Sequence, residues 1–289
     1  MTRMVNVAEI PKGATSARRR GMIRGLVLSP SFIVLMLIIA GAFLAPLIAP
    51  YDPVESIPAD KLLSPSPDHI MGTDTYGFDI YSRVLFATRT DLPIALISVS
   101  VAVLIGWPLG AAAGYRGGRF DAVAMRLTEM GQAFPQILFA MAIFAAFGNS
   151  ALTLVIVLVL LNVPVSTRMV RSVTLPLKES EFVLAARVAG NSSTSVVIRH
   201  LLPNTLVPVF SQFALSCAYA IQLIAGLSFI GLGIRIPEPE WGSMINIGVN
   251  VLVFGQWWVS FFPGMAVVIT SFALMGVSNQ LRRMTLRER

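Results

Sequence analysis

Five stretches of this chain run long without a single charged side chain: Leu26 to Tyr51, Leu92 to Tyr115, Met130 to Thr167, Leu201 to Ile234 and Trp241 to Leu281. About 20 apolar residues carry a helix across the hydrocarbon core of a bilayer. Inside that core every backbone N–H and C=O must be satisfied within the protein, so uninterrupted apolar runs of this length fold as helices. Composition agrees: 55% of the residues are hydrophobic and 13% charged, against roughly 25% charged in soluble domains. The third stretch is long enough for two spans, with Gly148-Asn149-Ser150 as the turn between them. The chain is thus expected to be an all-α integral membrane protein of six transmembrane helices, near 28–50, 92–115, 128–147, 150–168, 203–234 and 259–280.

Charge placement sets the expected orientation. Basic residues gather at Arg3, Lys12, Arg18, Arg19, Arg20 and Arg24, at Arg116, Arg119 and Arg126, along residues 168–199, and at Arg282, Arg283, Arg287 and Arg289. With six spans these ends share one side, which the positive-inside rule makes cytoplasmic. The opposite loop is acidic, carrying Asp52, Glu55, Asp60, Asp68, Asp74, Asp79 and Asp91 against Lys61, Arg83 and Arg89. The pI near 10.2 then reflects topology, and nucleic acid is not an expected partner. The expected plan is a cytoplasmic tail (1–25), a first transmembrane helix (26–50), an extracytoplasmic loop (51–90), a transmembrane core (91–281) and a cytoplasmic tail (282–289). The first apolar run exceeds the 7–15 residues of a signal-peptide core, so it reads as a retained span.

Pro50, Pro53, Pro58, Pro65 and Pro67 argue against regular structure in the first half of the outer loop. Its second half, Gly77 to Phe86, predicts a short interfacial helix with Ile80, Val84 and Leu85 on one side.

Enzyme chemistry finds no footing. The chain has neither a Gly-x4-Gly-Lys-Ser/Thr loop nor a Gly-x-Gly-x-x-Gly turn. His69, His200 and Cys217 are too few for a His/Cys metal cluster, and Ser228 lacks the flanking glycines of a nucleophile elbow. Cys217 reads as a packing residue. The expected spans also lack ionisable groups, with only Arg126 and Glu129 near one of them. Proton- and ion-coupled carriers place such groups at depth, so a secondary carrier or passive channel is the weaker alternative. Neutral polar residues remain, and Gln132, Gln136, Asn162, Ser211 and Gln212 are the residues expected to line a polar path.

Between the fourth and fifth spans lies a polar loop, 178–203, that reads as two short helices. Phe182, Ala185, Ala186 and Ala189 fall on one side of the first helix, Gly190 closes it, and the second ends at Leu202-Pro203. The spacing Ala-Ala-x-x-x-Gly, then nine residues, then x-x-Leu-Pro resembles the loop by which ABC-importer permeases engage an ATPase subunit.

Further segments extend the likeness: Ala45 to Pro53, His69 to Arg83, Arg116-Gly-Gly-Arg-Phe-Asp121 with Met125-Arg126, and Leu227 to Ile234 with Pro237 to Gly242. In that order they resemble the second permease subunit of the dipeptide/oligopeptide and nickel ABC importers. The sequence departs from that pattern at Leu184, where the loop usually has Glu, at Phe78, often Arg, and in the tail Gly276 to Arg283. The resemblance implies a type I ABC importer permease fold in a bacterial inner membrane, with both termini cytoplasmic. It implies a homologous second permease, two ATP-binding subunits and an extracytoplasmic solute-binding protein as partners. ATP and Mg would be held by the ATP-binding subunits and no cofactor by this chain. Phe182, Ala185, Ala186, Ala189, Gly190, Leu202 and Pro203 would form the coupling surface, and the solute would be a peptide or similar small molecule.

Overall fold

The computed structural model describes Gly25 and residues 27–286, with side chains to Arg283; the expected tail residues 1–24 and 287–289 lie outside the described residues. Helix α1, Pro30–Ile48, starts where the Ser29 hydroxyl accepts from the Phe32 N–H and proline occupies the first turn. Only Ala45 of α1 is buried.

Helix α2, Ile80–Arg116, is 37 residues long, about 55 Å at 1.5 Å per residue. The short interfacial helix expected over 77–86 is instead the start of this long helix. The Asp79 carboxylate accepts from the Ser82 N–H at 2.8 Å and fixes that start. Arg83, Arg89 and Asp91, assigned to the outer loop, therefore fall on α2, ahead of its charge-free stretch from Leu92 to Tyr115.

Helices α3, Gly118–Gln132, and α4, Gln136–Phe147, replace the single span expected over 128–147. They meet at 82°. Pro135 explains the break: it has no N–H to continue a helix and pushes Phe134 away from the helical region. Counting the bent pair as one crossing, six segments are long and apolar enough to span a membrane.

Helix α5, Ala151–Leu177, runs past the expected end at 168. The loop beyond it holds α6, Glu181–Val188, and α7, Ser193–Val196, a wider turn over Val197–Leu201, and α8, Leu202–Asn204. Helix α9, Leu206–Phe229, then crosses, α10, Trp241–Leu252, falls between the expected fifth and sixth spans, and α11, Trp258–Leu286, absorbs most of the expected C-terminal tail.

The core is built on α2 and α5. Gly106, Gly110 and Gly114 recur every fourth residue on α2, and their backbones abut Ser166, Thr167, Val170 and Thr174 of α5. Small residues at this spacing let membrane helices approach closely, where dispersion and polar contacts replace the hydrophobic drive. Across the bundle Ser211 of α9 donates to the Ser278 carbonyl at 3.0 Å and Ser278 of α11 returns a bond to the Ser211 carbonyl at 2.7 Å.

The ends sort into two groups. At one, Gln280 reaches the Gly25 carbonyl, and Tyr115 and Leu177 pack with the 178–203 loop. At the other, Asn149 donates to the Gly231 carbonyl at 2.9 Å and Trp258 to the Thr73 carbonyl at 3.3 Å.

Candidate functional site

The 178–203 loop is a folded unit. Val183 and Ala186 of α6, Val196 of α7 and Leu201 are buried together, with Tyr115, Leu177 and Val197 packed around them. Helix α6 ends in a paired-bond cap: the Gly190 N–H reaches the Arg187 carbonyl at 3.0 Å and the Asn191 N–H the Ala186 carbonyl at 3.2 Å. Gly190 takes φ +80°, which glycine adopts without a side-chain penalty.

This arrangement redistributes the expected coupling residues. Phe182, Ala185, Ala189, Gly190 and Pro203 are exposed, whereas Ala186 is turned inward. Leu202 packs toward Ala111, Val170 and Val209 of the bundle rather than outward. The sequence reading missed Leu184 and Val188, one helical turn apart, which extend the outward apolar side of α6. Val188 is 89% exposed.

The second feature is a cavity of about 570 Å³ between α4, α5 and α9. Gln136 stands at the start of α4, Asn162 on α5, and Gln212, Ser216, Tyr219 and Gln222 on α9, among apolar neighbours; no charged residue lines it. Of the expected path residues, Gln136, Asn162 and Gln212 meet here. Gln132 ends α3 outside the lining, and Ser211 is buried in its exchange with Ser278. Tyr219 was not foreseen, since a lone aromatic in an apolar run reads as packing.

Loop and cavity share their framework. The loop leaves α5 at Leu177 and enters α9 at Leu206, so it joins two of the three cavity walls. The third wall, α4, continues from α3, and α3 is held to α5 by the Asp121 carboxylate and Arg171 guanidinium.

At the far end, Arg83 fastens the 51–79 loop. Its Nη1 donates to the Pro53 carbonyl at 2.7 Å and the Pro237 carbonyl at 2.9 Å, and its cation lies 4.3 Å from the Phe78 ring centre. Phe78, a departure from the resembled pattern, thus provides the aromatic surface for Arg83. Asp74 accepts from the Tyr76 and Phe78 N–H groups, and burial raises its carboxyl above the ordinary range.

Residues 106–285 match the family described as binding-protein-dependent transport system inner membrane component. That match covers the last part of α2, both halves of the bent span, α5, the loop and α9 to α11. The chain belongs to this family. As a permease of the family it is the membrane subunit of a binding-protein-dependent importer. It is 35% identical over 258 residues to the dipeptide transport system permease protein DppC of Alkalihalophilus pseudofirmus, covering 89% of this chain and 83% of that protein. To the glutathione transport system permease protein GsiD of Pectobacterium atrosepticum it is 35% identical over 264 residues, 91% of this chain and 87% of the relative. The probable D,D-dipeptide transport system permease protein DdpC of Escherichia coli is 34% identical over 258 residues, 88% of this chain and 86% of that one.

Proposed function

We propose that this permease forms half of a translocation path for short peptides, driven by ATP hydrolysed on separate subunits that dock on the 178–203 loop. The observation that carries the reading is the connection of that loop to α5 and α9, two walls of the cavity. A rigid docked element at that junction moves both walls together, as packed helices shift as bodies rather than deform. The apolar outward side of α6 offers the seat. ATP and Mg belong to the docked subunits, a homologous permease completes the path, and a solute-binding protein delivers from the side of the 51–79 loop. Both termini and the 178–203 loop are then cytoplasmic, in the inner membrane of a bacterium, as the basic residues at that end support.

Peptide as cargo is supported by the relatives' names and by the neutral amide side chains of the cavity, which offer donors and acceptors to a peptide backbone without demanding a charge. The rival, an ion-driven carrier, has one observation in its favour: Asp91 is buried within α2. Its Oδ2 already accepts from the Trp241 N–H at 3.1 Å, and it does not line the cavity.

Cysteines placed at Val188 and at Val183, in a Cys217→Ala background, test the docking. With the assembled complex, a short crosslinker joins position 188 to an ATP-hydrolysing subunit and leaves 183 unreacted. Absence of any crosslink at 188 contradicts the reading.

A further inference from the structure

Arg89 stands on α2 about 14 Å along the axis from Ile80, nine residues on at 1.5 Å each, and its side chain is exposed. Among the described residues no carboxylate lies within ion-pair distance of it. Phe86 flanks it, ring centre 5.5 Å from the guanidinium carbon. Arg89 precedes the charge-free stretch of α2 that starts at Leu92, a place from which a long cationic side chain reaches the lipid headgroup level. The acidic loop nearby does not supply a counter-anion: its Asp74 and Asp79 bond backbone N–H groups instead.

Beside Arg89 a groove of about 260 Å³ runs between α1 and α2, walled by Ile39, Ala42, Phe43, Leu92, Pro93 and Leu96. Arg89 lies at the end nearer the 51–79 loop. Phe43 is 80% exposed, so the groove opens to the surroundings of the bundle. Pro93 has no N–H, so it cannot donate to the Arg89 carbonyl four residues earlier on the helix.

We propose that this groove binds an anionic glycerophospholipid, with an acyl chain along the α1–α2 wall and the phosphate on Arg89. The guanidinium fork matches two phosphate oxygens, the apolar wall matches the chain, and the Arg89 carbonyl accepts from a headgroup hydroxyl. A second protein subunit over the groove is the competing occupant; charge complementarity favours the lipid, because the walls offer one cation, the Thr88 hydroxyl already given to the Val84 carbonyl, and apolar surface.

The full chain with its membrane partners is taken from vesicles of equimolar phosphatidylglycerol and phosphatidylcholine, and the retained lipids are counted by native mass spectrometry. The wild type is expected to retain phosphatidylglycerol about tenfold over phosphatidylcholine at one site, because both offer a phosphate to Arg89 but the choline ammonium of the second cancels its charge and repels the guanidinium. R89Q brings that ratio to near one, and R89K preserves part of the preference. Ala42→Phe fills the groove with Arg89 in place and loses the bound lipid altogether, so the idea stays testable if R89Q assembles poorly. An R89Q ratio equal to the wild type overturns the proposal. So does a wild type that retains no lipid for Ala42→Phe to displace, the result expected of a protein-covered groove.

Discussion

Arg171 grips Asp121 at two points, its Nε on one carboxylate oxygen and its Nη2 2.6 Å from the other. The pair ties α5, from which the 178–203 loop departs, to α3, the first half of the bent span. Beyond the bend at Pro135 the span resumes at Gln136, in the cavity wall. The helix from which the loop departs is thus tied to the helix that leads into the third wall by a planar ion pair, whose geometry a lysine does not reproduce.

Cutting this tie should uncouple the machine. Arg171→Gln and Asp121→Asn are each expected to lower solute moved per ATP hydrolysed severalfold, with the amount of assembled complex unchanged. The double exchange Arg171→Asp with Asp121→Arg recovers part of the ratio. Uptake and phosphate release in the same proteoliposomes measure it; an unaltered ratio in both single variants contradicts the linkage.

Gly190→Val tests the seat of the loop. A Cβ at Gly190 meets nothing within 4 Å, so the cost comes from φ +80° alone, about 1 kcal/mol or more for a β-branched residue. The variant should insert normally and retain less ATP-hydrolysing subunit through affinity purification. Full retention with full transport removes the docking account.

Gly110→Ala probes the packing of α2 on α5. The added methyl meets the Thr167 carbonyl oxygen and comes within 2.9 Å of the Val170 Cβ. Overpacking of this kind costs about 1–3 kcal/mol, read as a lower midpoint for thermal loss of the detergent-solubilised fold. Gly264→Ala, where a Cβ meets nothing within 4 Å, is the control expected to leave the midpoint unchanged.

Glu240 caps α10, accepting from the Gly242 N–H at 2.8 Å and the Ser243 N–H at 2.7 Å, and is fully buried. Glu240→Ala should cost about 0.5–2 kcal/mol, the usual loss of a helix cap, and Glu240→Gln less, since its amide oxygen still accepts. Burial raises the Glu240 carboxyl above the ordinary value of 4.5. The folded state then holds this proton where the unfolded chain has released it. Its contribution to stability is complete below pH 4.5 and declines as pH climbs through the raised value. Glu240→Gln should flatten that part of the stability–pH curve, read by thermal unfolding across pH.

The sequence disclosed what depends on composition and hid what depends on direction. Apolar length was enough to find α1, α5, α9 and α11, because the bilayer leaves no other fold for such runs. The start of α2 was missed because Asp79 reads as one more acidic loop residue until its bond to the Ser82 N–H makes it a cap. Pro135 was visible, but a proline in a membrane run gives no bend angle, and the 82° turn that puts Gln136 in the cavity depends on what α3 and α4 pack against. In the loop, helical spacing grouped Ala186 with Phe182, Ala185 and Ala189. Spacing gives a common side and not which way it faces, and Val183 pulls Ala186 into the loop's own small core. Gly190 was legible, since a helix closing on glycine has few other conformations.

The most direct measurement is uptake of a labelled dipeptide into proteoliposomes holding this permease, its partner permease, the ATP-hydrolysing subunits and the binding protein. Accumulation is expected only with ATP on the side of the 178–203 loop and only with every component present, and a proton gradient alone should give none. Gradient-driven accumulation by this chain on its own would contradict the account.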